Sequence, residues 1–259
     1  LLASLLAAGS ALASSNATGI AFGPDGSLFV AVPPSGSGAP DQGYVHRVGS
    51  NGTAVAVAGT GGTGLGADGI PATQSRLGNF WDVAVGADGS LYINDSDSVR
   101  RVDSAGIITT VAGFRSLLGP CTSTLTDGVP ATQTRFEPGS VAVGSDGVIY
   151  VVDLCANRIR RIGTDGLIFS VAGTGTNQLA FNGDGIPALR ANLNVPLGIA
   201  IDPAGRLHFA VNGHARIRRV DRPLPGAAFD DFFVASESGD AVHQFDGQGR
   251  HARFLPTAA

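Results

Sequence analysis

Residues 139–173 read GSVAVGSDGVIYVVDLCANRIRRIGTDGLIFSVAG, a stretch in which short apolar runs alternate with turn sequences. The apolar runs are Ser140–Val143, Val148–Val152, Ile159–Ile162 and Leu167–Ala172. Asp-Gly lies in two of the intervening turns, and it is the strongest short hairpin signal because a tight turn requires positive φ. The stretch therefore predicts a meander of antiparallel strands joined by hairpins, which is the unit of a β-propeller blade.

The same unit recurs along the chain, with hairpin glycines at 26, 89, 147 and 205, roughly sixty residues apart. A propeller repeat takes about 40–45 residues, so the excess predicts linkers between the blades. Each linker contains a D-G-[IV]-P-A segment. Pro71, Pro130 and Pro187 in these segments are each predicted to open one short helical turn, because proline is tolerated at a helix start.

The repeats predict an all-β fold, a propeller of four-stranded antiparallel blades of which about five are recognisable. Residues 16–220 contain the clear blades, and residues 221–259 contain a degenerate last blade. Residues 1–15 are apolar and rich in small residues. They fit the remnant of a signal peptide or the tail of a preceding repeat, and the sequence leaves both interpretations open.

The composition argues against some partners. The formal net charge of the 259 residues is −4 and the pI is about 5.6, which gives no attraction to nucleic acid or to anionic membranes. No stretch is long and apolar enough to span a bilayer. All 17 basic residues are arginine, and alanine and glycine are abundant, which suggests a GC-rich bacterial genome.

Catalytic propellers build their sites where the inner strands meet at the central channel, and metal ions there need several His, Asp or Glu ligands. Of the residues that open the first strands, only Asp82 is ionisable. The five histidines fall at unrelated repeat positions, without metal-binding spacing. We therefore predict no catalytic residues, no metal and no cofactor, and we favour a protein that is not an enzyme.

Arginine pairs recur at matching third-strand positions, as Arg100-Arg101, Arg160-Arg161 and Arg218-Arg219, with His46-Arg47 in the first unit. A repeated arginine can pair with a carboxylate of the second strand through planar, forked hydrogen bonds. This pattern predicts a structural role between blades, since the net charge is negative. The residues assigned to this role are Asp95, Arg101, Asp153, Arg161 and Arg219.

The long linkers, residues 60–77, 114–136 and 174–193, are predicted to lie on one face of the propeller. Loops on a rigid scaffold are where binding residues are usually found. We therefore expect a protein or carbohydrate ligand on this face. The candidate ligand-binding residues are Asp68, Arg76, Asp127, Arg135, Asn182 and Asp184. For the aspartates, the competing interpretation is plain turn chemistry.

The two cysteines, Cys121 and Cys155, belong to a linker and to a loop between strands of adjacent blades. In a meander these segments emerge on the same face, so a Cys121–Cys155 disulfide is sterically plausible. An oxidising compartment would favour the bond, and two unrelated thiols are the alternative.

The repeated GIAFGPDGSLFVA, NRIRRIGTDG and ITTVAG segments resemble the NHL-repeat family. The longer linkers resemble those of NHL propellers in bacterial RHS/YD-repeat and teneurin-like surface proteins. The resemblance implies a ring that is usually six-bladed. It also implies a secreted or cell-surface, non-catalytic binding or scaffold module within a larger polypeptide. Related propellers suggest two alternatives, namely a lyase or lactonase with a divalent metal in the channel, and an RNA-binding propeller.

Overall fold

The computed structural model describes residues 17–34, 43–64, 66–113, 126–175 and 180–220, together with the backbone of strands within 232–235, 241–245 and 251–256. Within this part of the chain, every regular element is a β-strand or a three-residue 3₁₀ turn. The protein is therefore all-β, as the repeats predict.

The strands of residues 19–220 form four consecutive antiparallel sheets, which are the blades. Blade 1 contains β1 (Gly19–Phe22), β2 (Leu28–Val32), β3 (Tyr44–Val48) and β4 (Ala54–Ala58). Blade 2 contains β5 (Ile70–Pro71), β6 (Phe80–Val85), β7 (Leu91–Asp95), β8 (Ser98–Val102) and β9 (Ile107–Ala112). Blade 3 contains β10 (Val129–Pro130), β11 (Pro138–Val143), β12 (Ile149–Asp153), β13 (Arg158–Ile162) and β14 (Leu167–Ala172). Blade 4 contains β15 (Pro196–Ile201), β16 (Leu207–Val211) and β17 (Arg216–Val220).

The hairpin between the first two strands of each blade has the predicted geometry. The glycines at its tip, Gly26, Gly89, Gly147 and Gly205, have φ of 78° to 79°. In the first blade the amide of Gly26 donates to the carbonyl of Gly23, and the amide of Gly23 donates to the carbonyl of Ser27. A side chain at the glycine position would strain this turn, because positive φ is costly for other residues.

Each linker is attached to the blades on both sides of it. The predicted 3₁₀ turns follow the three prolines and span Ala72–Gln74, Ala131–Gln133 and Ala188–Arg190. The carbonyl of the first residue in each turn accepts an amide of the preceding blade, from Gly59, Gly113 and Gly173 respectively. Strands β5 and β10 pair with the outer strands β9 and β14. The described segments of the first two linkers therefore form part of the sheets of blades 2 and 3.

The inner strands β1, β6, β11 and β15 lie side by side in the order of the blades. The approach is close, because a Cβ added to Gly19 of β1 would lie 2.7 Å from the Cα of Asp82 in β6. Apolar side chains fill each space between consecutive blades and form three core layers. This radial stacking around the inner strands is the architecture of a β-propeller.

Blade 4 has one apolar face that no described side chain covers. Ile217 of β17 is 80 % exposed, whereas the equivalent Val99 and Ile159 of blades 2 and 3 are fully buried between blades. A further antiparallel sheet follows, made of β18 (Phe232–Ala235), β19 (Ala241–Phe245) and β20 (His251–Pro256). Residues 1–15 and 221–231 lie outside the described residues, so the predicted domain boundaries stay predictions.

Candidate functional site

The linker between blades 1 and 2 is held by a buried arginine of blade 2. Arg100 is fully buried in β8, and its Nη1 lies 3.2 Å from Oδ2 of the equally buried Asp95. Its Nη2 donates to Oδ1 of Asp68 at 2.8 Å and to the carbonyl of Ala67 at 3.0 Å. Asp95 also accepts the amide of Gly78 at 2.5 Å. One guanidinium thus joins the second strand of its own blade to the Asp-Gly turn of the preceding linker.

Blade 3 repeats this arrangement. The guanidinium of the buried Arg160 lies 3.5 Å from Asp153 and 3.1 Å from Asp127. Asp127 also accepts the amide of Ser170 at 2.9 Å and its hydroxyl at 3.0 Å. Because strand residues alternate between the two faces of a sheet, the arginine that shares a face with the second-strand aspartate is the first of each pair.

The second arginine of each pair therefore has a different environment from the one that the sequence assigned to it. Arg101 donates to Asp88 at 3.0 Å, at the hairpin between β6 and β7. The guanidinium carbon of Arg161 lies 4.7 Å from the ring centroid of Phe169. Arg219 is exposed in β17. Asp95 and Asp153 thus join blade to linker through Arg100 and Arg160.

Blade 4 retains the arginine and the linker aspartate but not the buried aspartate, whose position is taken by Val211. Arg218 Nε donates to Asp184 at 3.0 Å, and Nη2 donates to the carbonyl of Gly183 at 2.7 Å. Asn182 bridges the same linker, because it accepts the amide of Asn192 at 2.8 Å and donates to the carbonyl of Arg190 at 2.7 Å.

The six candidate ligand-binding residues thus fall into two groups. Asp68, Asp127, Asn182 and Asp184 shape the linkers through the contacts described above. Arg76 is exposed, and Arg135 is half-buried. The positions of the first group are explained by their hydrogen bonds within the linker turns and to the arginines of the third strands. A ligand-binding role for any of the six residues stays a prediction.

The channel end of blade 2 carries the one ionisable side chain that the sequence places there. Oδ2 of Asp82 accepts the hydroxyl of Ser140 at 2.5 Å and the amide of Val141 at 3.1 Å, both in blade 3. The Ser140 hydroxyl oxygen in turn accepts the amide of Ile199 of blade 4 at 3.3 Å. Burial raises the pKa of Asp82 above 3.8, against the opposing effect of these hydrogen bonds. Asp82 therefore links neighbouring blades.

Asn94 holds the strand segment from which Asp82 projects. Its Oδ1 accepts the amides of Trp81 and Asp82 at 2.8 and 2.7 Å. Its Nδ2 donates to the carbonyls of Pro138 and Gly139 in the next blade. The register of β6 against β7 shifts here, between Phe80 and Val83, so that successive residues of β6 lie opposite one residue of β7. The bulge places Trp81 and Asp82 at the start of the inner strand.

Exposed apolar side chains of blades 2 and 4 form a rim at the linker-face ends of the inner strands. Trp81 is 58 % exposed at the start of β6, and Leu197 is exposed at the equivalent start of β15. Val195 is also exposed and has φ of 52°, which is unfavourable for a β-branched residue. Its amide donates to Oδ1 of Asn157 at 2.9 Å, and its carbonyl accepts the amide of Asn212 at 3.0 Å. The sequence analysis did not single out this rim, because exposure cannot be read from residue type.

The histidines are scattered, and no group of three or more His, Cys, Asp or Glu among the described residues could hold a metal ion. His46 is buried in β3, and Nε2 of His208 lies 3.1 Å from Asp202 in the turn of blade 4. Cys155 is disulfide-bonded, and its sulfur lies 3.4 Å from Glu137. Cys121 lies outside the described residues, so the Cys121–Cys155 pairing stays a prediction.

The curated relatives that the chain matches include teneurins. The chain is 31 % identical over 194 residues to teneurin-3 from Danio rerio and 28 % identical over 204 residues to teneurin-1 from Homo sapiens. These alignments cover 69 % and 72 % of the chain but only 7 % of each relative. The chain thus spans a small part of the length of the curated relatives that it matches. No protein-family model matches it.

Solved structures support the architecture. A protein of unknown function from Bacteroides thetaiotaomicron superimposes with a TM-score of 0.58 at 20 % identity, covering 80 % of this chain and 47 % of that chain. The chain is an NHL-type β-propeller. An auxiliary nutrient binding protein from the same organism gives a TM-score of 0.55 at 18 % identity, covering 79 % and 47 % of the two chains. At these identities, the structural similarity bears on the fold of the propeller alone.

In the part of this propeller that the structure describes, no helix combines the length and the apolar character needed to cross a membrane.

Replacement of Asp82 by asparagine tests whether burial raises the pKa of the Asp82 carboxyl group. A pKa above 3.8 in the folded state stabilises the fold at pH below 3.8, and this stabilisation is lost as the pH rises through the folded-state pKa. Asparagine does not titrate. We therefore expect the free energy of unfolding of Asp82→Asn, relative to wild type, to increase with pH across this range, as measured by urea denaturation from pH 2 to 7.

Asp88→Asn is the matched control, because the change should have the opposite sign. Hydrogen bonds from Ser90, then the contact with Arg101, lower the pKa of Asp88. Its carboxylate contributes stability at pH above 3.8 that is lost as the pH falls through the lowered pKa. A pH-independent difference between Asp82→Asn and wild type would show that burial does not govern this carboxylate.

Proposed function

We propose that this propeller is a non-catalytic binding or scaffold module, exposed on a cell surface or secreted, within a larger RHS/teneurin-like protein. Its ligand, a protein or a carbohydrate, would contact the face that carries the interblade linkers. The similarity to teneurin sequences over about 70 % of the chain supports a surface role. The chemistry of the channel and the construction of the linker face support binding rather than catalysis.

The observation that carries the proposal is the hydrogen bonding of the Asp82 carboxylate. Its carboxylate accepts hydrogen bonds from Val83, Ser140 and Val141. At the position equivalent to Asp82, the other described blades place Gly19, Ser140 and Gly198, none of which is ionisable. General acid–base chemistry needs a proton donor or acceptor within reach of a substrate, commonly with a second group of complementary role. A carboxylate committed to joining blades fits a structural role.

The linker face has the features of a rigid binding surface. Arg100, Arg160 and Arg218 fix the linker turns by charge-assisted hydrogen bonds, so that a ligand would meet loops that are already ordered. Ordered loops lose little conformational entropy on binding. The exposed Trp81 supplies a large aromatic surface at the centre of this face, and tryptophan is enriched among residues that dominate binding energy.

Trp81→Ala tests the proposal, with Phe22→Ala as the matched control. Trp81 and Phe22 are exposed to 58 % and 54 %, and they lie at opposite ends of inner strands, so that each truncation should leave the fold intact. The propeller is screened against an oligosaccharide array and a panel of purified secreted proteins. For a ligand found in this way, we expect Trp81→Ala to weaken binding about tenfold or more and Phe22→Ala to have little effect.

The opposite pattern, in which Phe22→Ala weakens binding and Trp81→Ala does not, would place the ligand on the other face. Chemical conversion of a bound ligand by the wild-type protein would contradict a non-catalytic role. Circular dichroism and thermal unfolding of both variants separate loss of the site from loss of the fold.

A further inference from the structure

A cluster of cationic side chains surrounds one aromatic ring at the linker-face end of the contact between blades 3 and 4. The guanidinium carbon of Arg216 lies 4.2 Å from the ring centroid of Phe181, and that of Arg218 lies 5.2 Å from it. The ring of His214 meets the same phenyl ring edge-on, with the centroids 5.7 Å apart. We call these four residues the Phe181 patch.

Arg216 differs from the other arginines in this region. The equivalent Arg158 of blade 3 donates to the hydroxyl of Ser170 and to the carbonyl of Thr174, each at 2.8 Å. Arg218 is satisfied by Asp184 and by backbone carbonyls. Arg216 is exposed and makes no hydrogen bond or ion pair with the described residues. None of its five N–H donors is used by a described residue, so a guanidinium at this position can donate to an external acceptor.

The stacking on Phe181 also orders Arg216 before a ligand arrives. A guanidinium held against an aromatic ring is stabilised by the cation–π interaction, and its planar fork matches the two oxygens of a carboxylate or a sulfate. Asp184 pairs with Arg218 of the patch, so that Arg216 is a second cation beside this ion pair. The local charge is therefore positive, although the chain carries −4.

We propose that the Phe181 patch binds an oxyanion, a carboxylate or a sulfate, carried by an acidic polysaccharide. This inference rests on the proposed function, because it names the ligand class and one subsite of the linker face. Arg216 would donate two parallel hydrogen bonds to the oxyanion. The exposed indole of Trp81 on the same face offers a flat surface for the apolar side of a sugar ring.

The construction of the patch favours a polysaccharide over single-stranded nucleic acid. Nucleic-acid grooves track many phosphates and stack the bases on free aromatic faces. Here the guanidinium groups of Arg216 and Arg218 already lie over the ring of Phe181, where a base would otherwise stack. The patch has room for one oxyanion at Arg216. An acidic polysaccharide can supply it, because its charged groups are spaced along the sugar chain.

The test uses isothermal titration calorimetry of the full chain with a heparin-derived octasaccharide, which carries sulfate, and with an octamer of galacturonic acid, which carries only carboxylate. Maltooctaose, inorganic sulfate, a single-stranded DNA octamer and an octaglutamate peptide are the comparison probes. We expect one or both acidic octasaccharides to bind more tightly than every comparison probe. Their affinity should fall as salt is raised, because the contact is between charges.

Arg216→Ala should weaken binding of the acidic octasaccharide about tenfold or more, since a bidentate charge-assisted contact is lost. Arg47→Ala is the matched control, because Arg47 is also an exposed third-strand arginine but pairs with Asp25 at the opposite end of the blade. Its effect should stay within about twofold. Asp184→Asn should strengthen binding, because it removes the competing carboxylate beside Arg218.

Several results would overturn the inference. These are equal affinity of Arg216→Ala and wild type, weaker binding by Asp184→Asn in a folded protein, absence of binding by both acidic octasaccharides, and tighter binding of DNA, octaglutamate or sulfate. The outcome is separable from that of the proposed function. A ligand that loses affinity with Trp81→Ala but not with Arg216→Ala would leave the linker-face binding module standing and remove the oxyanion subsite.

Discussion

Replacement of Arg100 by methionine is expected to lower the free energy of unfolding by about 3–5 kcal/mol, because it leaves the buried Asp95 carboxylate without a counter-charge. The same change removes the ion pair between Arg100 and Asp68, so that the linker between blades 1 and 2 loses one of its attachments to blade 2. Methionine is chosen because it fills part of the space of the arginine stem. Urea denaturation at pH 7 measures the effect, which should also appear as a melting temperature lower by about 10 °C.

Two variants separate the buried charge from other effects of the substitution. Arg101→Met alters the neighbouring residue, whose partner Asp88 is at an exposed hairpin, and should cost less than about 1 kcal/mol. Asp95→Val reproduces in blade 2 the arrangement that blade 4 has with Val211, Arg218 and Asp184. It should cost less than Arg100→Met, since Arg100 retains Asp68 as a partner. An equal loss in the free energy of unfolding for Arg100→Met and Arg101→Met would contradict a stabilising role of the buried Arg100–Asp95 ion pair.

Much of this fold can be read from residues 139–173. Asp-Gly turns between apolar runs specify hairpins through local φ preferences, and the recurrence of the pattern specifies blades. The prolines of the linkers likewise open the 3₁₀ turns where the sequence predicts them. These features depend on neighbours in the chain, which is why a sequence pattern is sufficient to identify them.

The pairing of the arginines could be predicted only in part. The sequence indicates that a repeated arginine meets the second-strand aspartates, but the choice between Arg100 and Arg101 depends on strand register, and a shift of one residue exchanges the faces. The contact between Arg100 and Asp68 joins residues that are far apart in the chain. The Phe181 patch depends on the same kind of long-range packing, so that Arg216 carries no distinguishing signal in the sequence.

Ile159→Ala in blade 3 should lower the free energy of unfolding far more than Ile217→Ala at the equivalent position of blade 4. Ile159 and Ile217 occupy equivalent positions in β13 and β17, opposite Val152 and Ala210 respectively. Ile159 is fully buried between blades, whereas Ile217 is 80 % exposed. Ile159→Ala removes buried methyl groups and leaves a cavity, so we expect a loss of about 2–5 kcal/mol in the free energy of unfolding.

Ile217→Ala is the matched control, since it makes the same chemical change at the same strand position. An exposed truncation of this kind should change the free energy of unfolding by less than about 0.5 kcal/mol, when both variants are measured by urea denaturation of the full chain. A loss for Ile217→Ala as large as that for Ile159→Ala would mean that a further sheet covers blade 4 in solution. A small loss for both would contradict the close packing of blade 3 against its neighbours, because a side chain without accessible surface cannot lose its methyl groups at so little cost.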